Sequence, residues 1–525
     1  MLPKGIVSLP IEKWTNKHQN FTHPLVKNAS FKLYNPPGEN YRERYLSTTR
    51  NFQWLIKHAE ENNLKLRAMG SGWSFSKVGV TQGGIVDTAA LNFSFPLKER
   101  YVNSQYAGAI DDLYFLQCGT IIHEITRRLA AKKPPRSIKA SGASNGQTIA
   151  GAFSTGTHGA AIRVGAVQDT VVGLHIITGA NRHVWLERAS HPVASREFVE
   201  WLGAEFIRDD AIFNSALVSF GSFGFIHGVM IETEPIFLLE EHKIGNIPYG
   251  NSLKKAMRHL DFSDLPIEDF TTSKELYHFE VLFNLHDFEP GNADKGAYIK
   301  CIYKKPYLLP YQRPQRSNDF TYGDDLLGII STLLDRLGSG SRLLIPVMVN
   351  TLFKMAFSPE PPKTATLGDL FDYTKFRGKI ASAAIGIDSK DSPEVVELII
   401  DINKKYPFPG GLALRYVKGT KAKLGFTKFP ITCVLEMDGV DGESAKVFFT
   451  AVWAKLEELK FAYTLHWGKI NFILNKERVL NMYGKEAMDT WIRSRNMLLS
   501  APALEIFDSE FIAKCGLNKI QNLED

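Results

Sequence analysis

The chain has 525 residues, 44% of them hydrophobic and 22% charged, enough for about two domains of ordinary size. A net charge of +6, with no clustered basic face, excludes a nucleic-acid-binding protein. The four cysteines, Cys118, Cys301, Cys433 and Cys515, stand too far apart for a zinc motif or a disulfide framework.

Well-separated cysteines suit a reducing compartment. Residues 1–20 mix Lys, Pro and polar side chains without the apolar core of a signal peptide. No run approaches the ~20 apolar residues of a spanning helix. The expectation is a cytoplasmic protein with no metal, whose membrane contact, if any, is peripheral.

In chain order, Phe52, Leu55, Ile56 and Ala59 repeat with helical spacing, and Ser47, Thr48 and Thr49 offer N-caps upstream. Residues 64–68 alternate as a half-buried strand that runs into Gly70-Ser71-Gly72. Leu113 to Cys118 predicts a strand, and Ile121, Ile122, Ile125 and Leu129 the apolar stripe of a helix. Val171 to Thr178 and Val229 to Glu234 predict further strands. This alternation makes the first ~240 residues a mixed domain. From about Glu241 aromatic residues and prolines become frequent, and Tyr277 to Leu285 and Ile431 to Met437 form long strand-like runs. The predicted organisation is therefore 1–240, 241–455, and a segment 456–525 too short to fold alone. The apolar stretch 326–357 reads either as a helix pair buried on the second domain or as an entrance for a lipophilic substrate.

Two glycine-rich stretches carry the functional signal. Gly70-Ser71-Gly72-Trp73-Ser74-Phe75-Ser76 follows a strand, where close glycines turn the backbone so that successive N–H groups converge on an anion. It is neither a Rossmann fingerprint nor a P-loop, and a tight structural turn explains it equally well. The second stretch runs from Gly142 through Ser144, Asn145, Gln147, Thr148 and Gly151 to Thr155-Gly156-Thr157-His158-Gly159. Its small residues admit close backbone approach, and its polar side chains offer donors and acceptors to a pyrophosphate and a polar heterocycle. His158 reads as a phosphate donor or a loop-holding residue rather than a base.

Taken together, Gly70 to Ser74, Gln147 to Gly151 and Ser154 to Gly159 resemble the vanillyl-alcohol-oxidase (PCMH-type) family of FAD-binding flavoproteins. The nearest branch is that of the aldonolactone and alditol oxidases and the covalent-FAD type of cholesterol oxidase. Gly221 to Ile226, with Gly224 and Ile226, is similar to the family's third flavin segment, and His466-Trp467-Gly468-Lys469 to the branch's signature beside the flavin ring. The resemblance implies an α+β, two-domain FAD-binding fold whose cap is an antiparallel sheet with helices. It covers about 35–240 well, is patchy over 241–430, and returns over 430–525. Trp73 stands where many relatives carry the histidine bonded to the flavin, which implies non-covalent FAD. Ala413, in Leu412-Ala413-Leu414-Arg415-Tyr416, stands where the resemblance places a carboxylate two residues before Arg415.

The implied activity is dehydrogenation of a CH–OH group on a sugar-derived lactone or polyol or a sterol-like alcohol, with O2 as acceptor giving H2O2. Lys469 is the expected charge partner of the reduced flavin, and Arg415 the stabiliser of a developing alkoxide or of the reduced flavin. Glu280 and His466 are candidate bases. Gly142 lies near the position that, by the resemblance, gates oxygen, and a glycine there favours an oxidase. Oxidative C–C or C–N chemistry, and a non-catalytic nucleotide-binding role, are the alternatives. The substrate and the oligomeric state stay open.

Overall fold

A computed structural model describes residues 2–265, 267, 275–292, 295–314, 347, 349–351, 353, 361–372 and 380–519. The apolar stretch 326–357 lies largely outside these residues. Among the described residues no helix is long and apolar enough to cross a membrane. Nor do three His, Cys, Asp or Glu side chains stand together as a metal site among them.

The first helix spans Tyr41–Glu61 and starts earlier than the Ser47–Thr49 caps suggest. Asn40 is its N-cap, accepting from the backbone N–H of Glu43, and Thr48 and Thr49 are buried inside it. Apolar spacing locates a helix's buried stripe, whereas its start is set by the residue that satisfies the first N–H groups. Its stripe of Phe52, Leu55, Ile56 and Ala59 is buried, as the spacing predicts.

Strand Leu66–Met69 pairs in parallel with Gly84–Asp87, which lies beside Ser30–Leu33 in a four-stranded sheet. A second sheet is built around Val171–Gly179 and Phe225–Pro235, with Leu113–Gln117 on the far side of the latter. Both flanking strands were legible as apolar runs. Both sheets draw their strands from residues 6–235.

The eight-stranded third sheet runs in the order Lys363–Thr366, Phe237–Ile247, Ala297–Pro306, Glu275–Phe283, Gly410–Lys418, Ile431–Val440, Ile380–Asp388 and Tyr463–Leu465. Its pairings are antiparallel throughout. Helices Ser392–Lys405 and Glu443–Glu458 pack on each other, and Phe408 stacks on Phe448 beside them. Its strand Phe237–Ile247 begins before residue 241 and Tyr463–Leu465 lies beyond 455, so the sheet overruns the 241–455 span at both ends.

After residue 466 the chain returns to the first unit. Trp491 Nε1 donates to Val218 O at 3.0 Å and Arg495 Nε to Ser222 O at 3.0 Å, which pins helix Lys476–Leu498 there. The four cysteines are free thiols buried apart from one another.

Candidate active site

The glycine-rich stretches meet at one place because each removes the side chain that would keep the other away. A Cβ on Gly70 would lie 2.1 Å from Thr148 Oγ1, and one on Gly146 would lie 2.4 Å from the Trp73 ring. Trp73 Nε1 in turn donates to Gly146 O at 3.0 Å. Two loops more than seventy residues apart are thereby closed into one wall.

That wall lines a cleft between the loops and the strands that carry Arg415 and Glu436. From the first loop Gly70, Ser71, Gly72, Trp73, Ser74 and Ser76 face it. From the second, Gly142, Ser144, Gln147, Thr148, Gly151, Thr155 and His158 do. Gly224 and Ile226 complete its floor; at Gly224 φ is 106°, where a side chain would also meet Ile177 O at 2.4 Å. Three predicted residues lie behind the wall. Asn145 accepts a hydrogen bond from Ser141, Gly156 turns the chain at φ 77°, and a Cβ on Gly159 would lie 2.1 Å from Ser141 O.

The C-terminal signature closes the far side. Phe75 N–H donates to Gly468 O at 2.7 Å, and Ser76 Oγ to Trp467 O at 2.5 Å. Ile470 N–H donates to Ser382 O at 2.8 Å, so the same turn joins the first loop to the third sheet. Lys469 is carried into the cleft, where Nζ lies 2.5 Å from Ser382 Oγ, 3.5 Å from Glu436 and 3.9 Å from Asp438.

Arg415 enters from the sheet and pairs with two carboxylates, Glu280 at 3.0 Å and Glu436 at 2.9 Å. Glu280 has no exposed surface and also meets Lys300 at 2.9 Å and His278 at 3.1 Å. Burial alone would push its carboxyl up; the charges of Arg415 and Lys300 outweigh that and hold it well below the usual range. Glu280 therefore sits behind Arg415 and orients it, outside the cleft lining. Glu436 does face the cleft. Burial pushes its carboxyl up too, yet Arg415, Lys469 and His158 together bring it down to about 2.

Three histidines line the cleft, His18, His158 and His466, and burial favours the neutral form of each. Burial lowers His158 to about 4, and it holds His466 well below the ordinary imidazole value, with His158 and Lys469 adding to that. His466 Nδ1 accepts from Gly468 N–H at 3.0 Å. The two rings lie 5.3 Å apart.

Sequence reading missed Glu436, Asp438 and Arg67. The first two were visible as charges inside an otherwise apolar strand, Ile431–Val440. Arg67 is buried on strand Leu66–Met69 and lines the cleft, where NH1 donates to Phe220 O at 2.9 Å. Its Nε and NH2 have no hydrogen-bond partner among the described residues, and burial lowers the guanidinium to about 9. A buried guanidinium with spare donors, beside loops of close-packed glycines, fits a cofactor that carries a pyrophosphate.

The model of an FAD binding domain matches residues 44–187. Residues 44–187 form an FAD-binding domain. The cleft is lined by that domain's loops and by residues that follow it in sequence, so FAD is the cofactor it is built to hold. Over 423 residues the chain is 21% identical to an L-gulono-1,4-lactone dehydrogenase of Mycobacterium tuberculosis, covering 80% of this chain and 84% of that one. It is 28% identical over 238 residues to a D-arabinono-1,4-lactone oxidase of Saccharomyces cerevisiae, covering 45% and 40% of the two chains. The crystal structure of a cholesterol oxidase from B. sterolicum superposes with a TM-score of 0.68 at 16% identity, covering 97% of each chain. The FAD-binding domain thus sits in the two-domain α+β fold that the sequence motifs imply.

Proposed function

We propose that this protein is an FAD-dependent oxidoreductase that dehydrogenates a CH–OH group, with O2 as electron acceptor and H2O2 as product. The observation that carries the proposal is the convergence of Lys469, Arg415 and Glu436 on the cleft lined by the FAD-binding loops. Bound FAD supplies a two-electron acceptor for the hydride of the carbinol carbon. Lys469 places a positive charge in the cleft, suited to charge that develops on a reduced cofactor. Arg415, held by carboxylates on two sides, presents its guanidinium to a substrate oxygen that gains negative charge. Glu436 keeps both cations oriented and their charge compensated when no substrate is present.

Trp73 cannot form the carbon–nitrogen bond that a histidine there would form, so the cofactor is bound without a covalent link. Gly142 lines the cleft, and a side chain there would press on Thr157 at 2.9 Å, so glycine keeps this part of the wall open to a molecule as small as O2. A sugar-derived lactone, as in the relatives' names, and a sterol are the two candidate substrate classes for this cleft. A polyhydroxylated lactone fits the charged corner made by Glu436, Asp438, Arg415 and Lys469 better than a sterol does, because hydroxyl groups satisfy those side chains.

The test is anaerobic mixing of the FAD-loaded protein with L-gulono-1,4-lactone, D-arabinono-1,4-lactone and cholesterol as probes. Bleaching of the flavin band by a lactone, followed by H2O2 release on admitting air, is expected. An enzyme that holds FAD but is bleached by none of the three sinks the proposal.

A further inference from the structure

We propose that the proton acceptor for the substrate hydroxyl is Nε2 of His158, with Glu436 as its charge partner. This rests on the CH–OH reading above.

The tautomer follows from one contact. His158 Nδ1 lies 3.1 Å from the carbonyl oxygen of Gly159. A carbonyl only accepts, so Nδ1 carries the hydrogen, and in the neutral ring Nε2 is an open acceptor. The ring lines the cleft and is neutral at physiological pH because burial lowers its pKa. Nε2 lies 4.0 Å from Glu436 Oε1. That is too long for a hydrogen bond, yet close enough for the carboxylate to stabilise an imidazolium once a proton arrives. Arg415 and Lys469 face the same ring and oppose its protonation, and His466 adjoins it as a neutral ring.

The other groups at this corner are committed elsewhere. Glu280 is closed in by Lys300, Arg415 and His278. Glu436 is paired with Arg415 and Lys469 and is the weaker base of the His158–Glu436 pair. His466 accepts at Nδ1 and its neutral ring carries hydrogen on Nε2, a donor already given to the backbone of Gly156, so it has no acceptor to offer. Of the two neighbouring imidazoles, His158 alone presents an acceptor.

In the step, the substrate O–H bond breaks and its proton passes to Nε2 of His158. The electron pair left on oxygen forms the C=O bond as the carbon's hydride leaves to FAD. The carbon is oxidised by two electrons and the cofactor reduced by two. The proton then leaves His158 for solvent, and O2 reoxidises the cofactor.

Long-range 1H–15N spectra of the FAD-loaded enzyme, labelled at histidine nitrogen, read the tautomer without any substrate. The His158 signal is assigned by its loss in His158→Asn, with His158→Gln as a second variant. The Nδ1–H tautomer at pH 7.5, unprotonated down to about pH 5, is expected; an Nε2–H tautomer overturns the proposal whatever the substrate. Asparagine leaves an amide N–H near the Nδ1 position and removes Nε2. His158→Asn should therefore keep its FAD and KM while anaerobic flavin reduction slows about 10²–10⁴-fold. Reduction at the wild-type rate in that variant, or a loss found in Asp438→Asn instead, also overturns it. Should no probe alcohol reduce the wild-type enzyme, the CH–OH reading fails and this base assignment with it.

Discussion

Ala413 and Glu436 lie directly opposite one another in the ladder between strands Gly410–Lys418 and Ile431–Val440. Residues opposite in an antiparallel pair share a face of the sheet. The methyl group of Ala413 leaves room there, and Glu436 reaches Arg415 at 2.9 Å from the neighbouring strand. The carboxylate missing beside Arg415 along its own strand is thus supplied across the ladder.

Moving that carboxylate back tests the relationship. Glu436→Ala should slow anaerobic flavin reduction at least ~100-fold and destabilise the protein by about 3 kcal/mol, because Arg415 and Lys469 lose a buried partner. The double variant Ala413→Glu with Glu436→Ala should regain at least ~10-fold in rate, since the new side chain projects from the same face. Stopped-flow reduction and urea unfolding read the two effects. No recovery in the double variant would mean that Glu436 serves by more than its place beside Arg415.

Gly70→Ala should weaken FAD binding about 10-fold or more, because the added methyl would lie 2.1 Å from Thr148 Oγ1 and force the two loops apart. Gly203 serves as the control. It caps helix Arg196–Leu202 at φ 69° with nothing within 4 Å of an added Cβ, so its alanine variant should lose only about 1 kcal/mol of stability. Titrating apoprotein with FAD by fluorescence separates the two. Equal affinities would show that the loops close without help from Gly70.

Arg67→Gln should raise the FAD dissociation constant about 10-fold, with the loss shrinking as salt is added, as expected when an anion loses a buried cation. Arg67 lines the cleft, donates from NH1 to Phe220 O, and keeps Nε and NH2 without a hydrogen-bond partner among the described residues. Unchanged affinity in the same titration would place the phosphates elsewhere along the wall.

Acid should destabilise the protein in two windows. Burial holds His175 and His227 well below the ordinary imidazole value, with neighbouring histidines adding to it. His175 Nδ1 meets Tyr45 OH at 2.7 Å, and His227 Nδ1 meets Thr49 Oγ1 at 3.1 Å, so neither has room for a second charge-solvating shell. The folded state takes up these protons less readily than the unfolded chain. The stability they contribute is complete above about pH 6.5 and declines as pH falls below it. Glu436, lowered to about 2 from 4.5, adds a second loss between those values. A Tm measured from pH 8 to 4 should fall from about pH 6.5 downward, and His227→Asn should flatten the first part of that fall. A flat profile between pH 7 and 5 would contradict the buried neutral pair.

What the sequence by itself determined was the cofactor and the fold. Glycines at 70, 72, 142, 146 and 151, with hydroxyl residues between them, already specify a backbone that approaches an anion, and the order of the motifs singles out the FAD-binding scaffold. Strand and helix positions came with it, because apolar period is a local property. Where the first helix starts was less legible, since Asn40 caps it by a hydrogen bond that apolar spacing does not encode. The chemistry at the substrate end was decided only by tertiary structure. Glu280 looks as good a base in sequence as Glu436, yet the ladder buries one behind Arg415 and turns the other into the cleft. His158 looks like part of a phosphate loop until folding sets Glu436 4.0 Å from its ring. Such assignments depend on which strands become neighbours and in what register, and a residue's partner across a sheet is a long-range fact that no local spacing records.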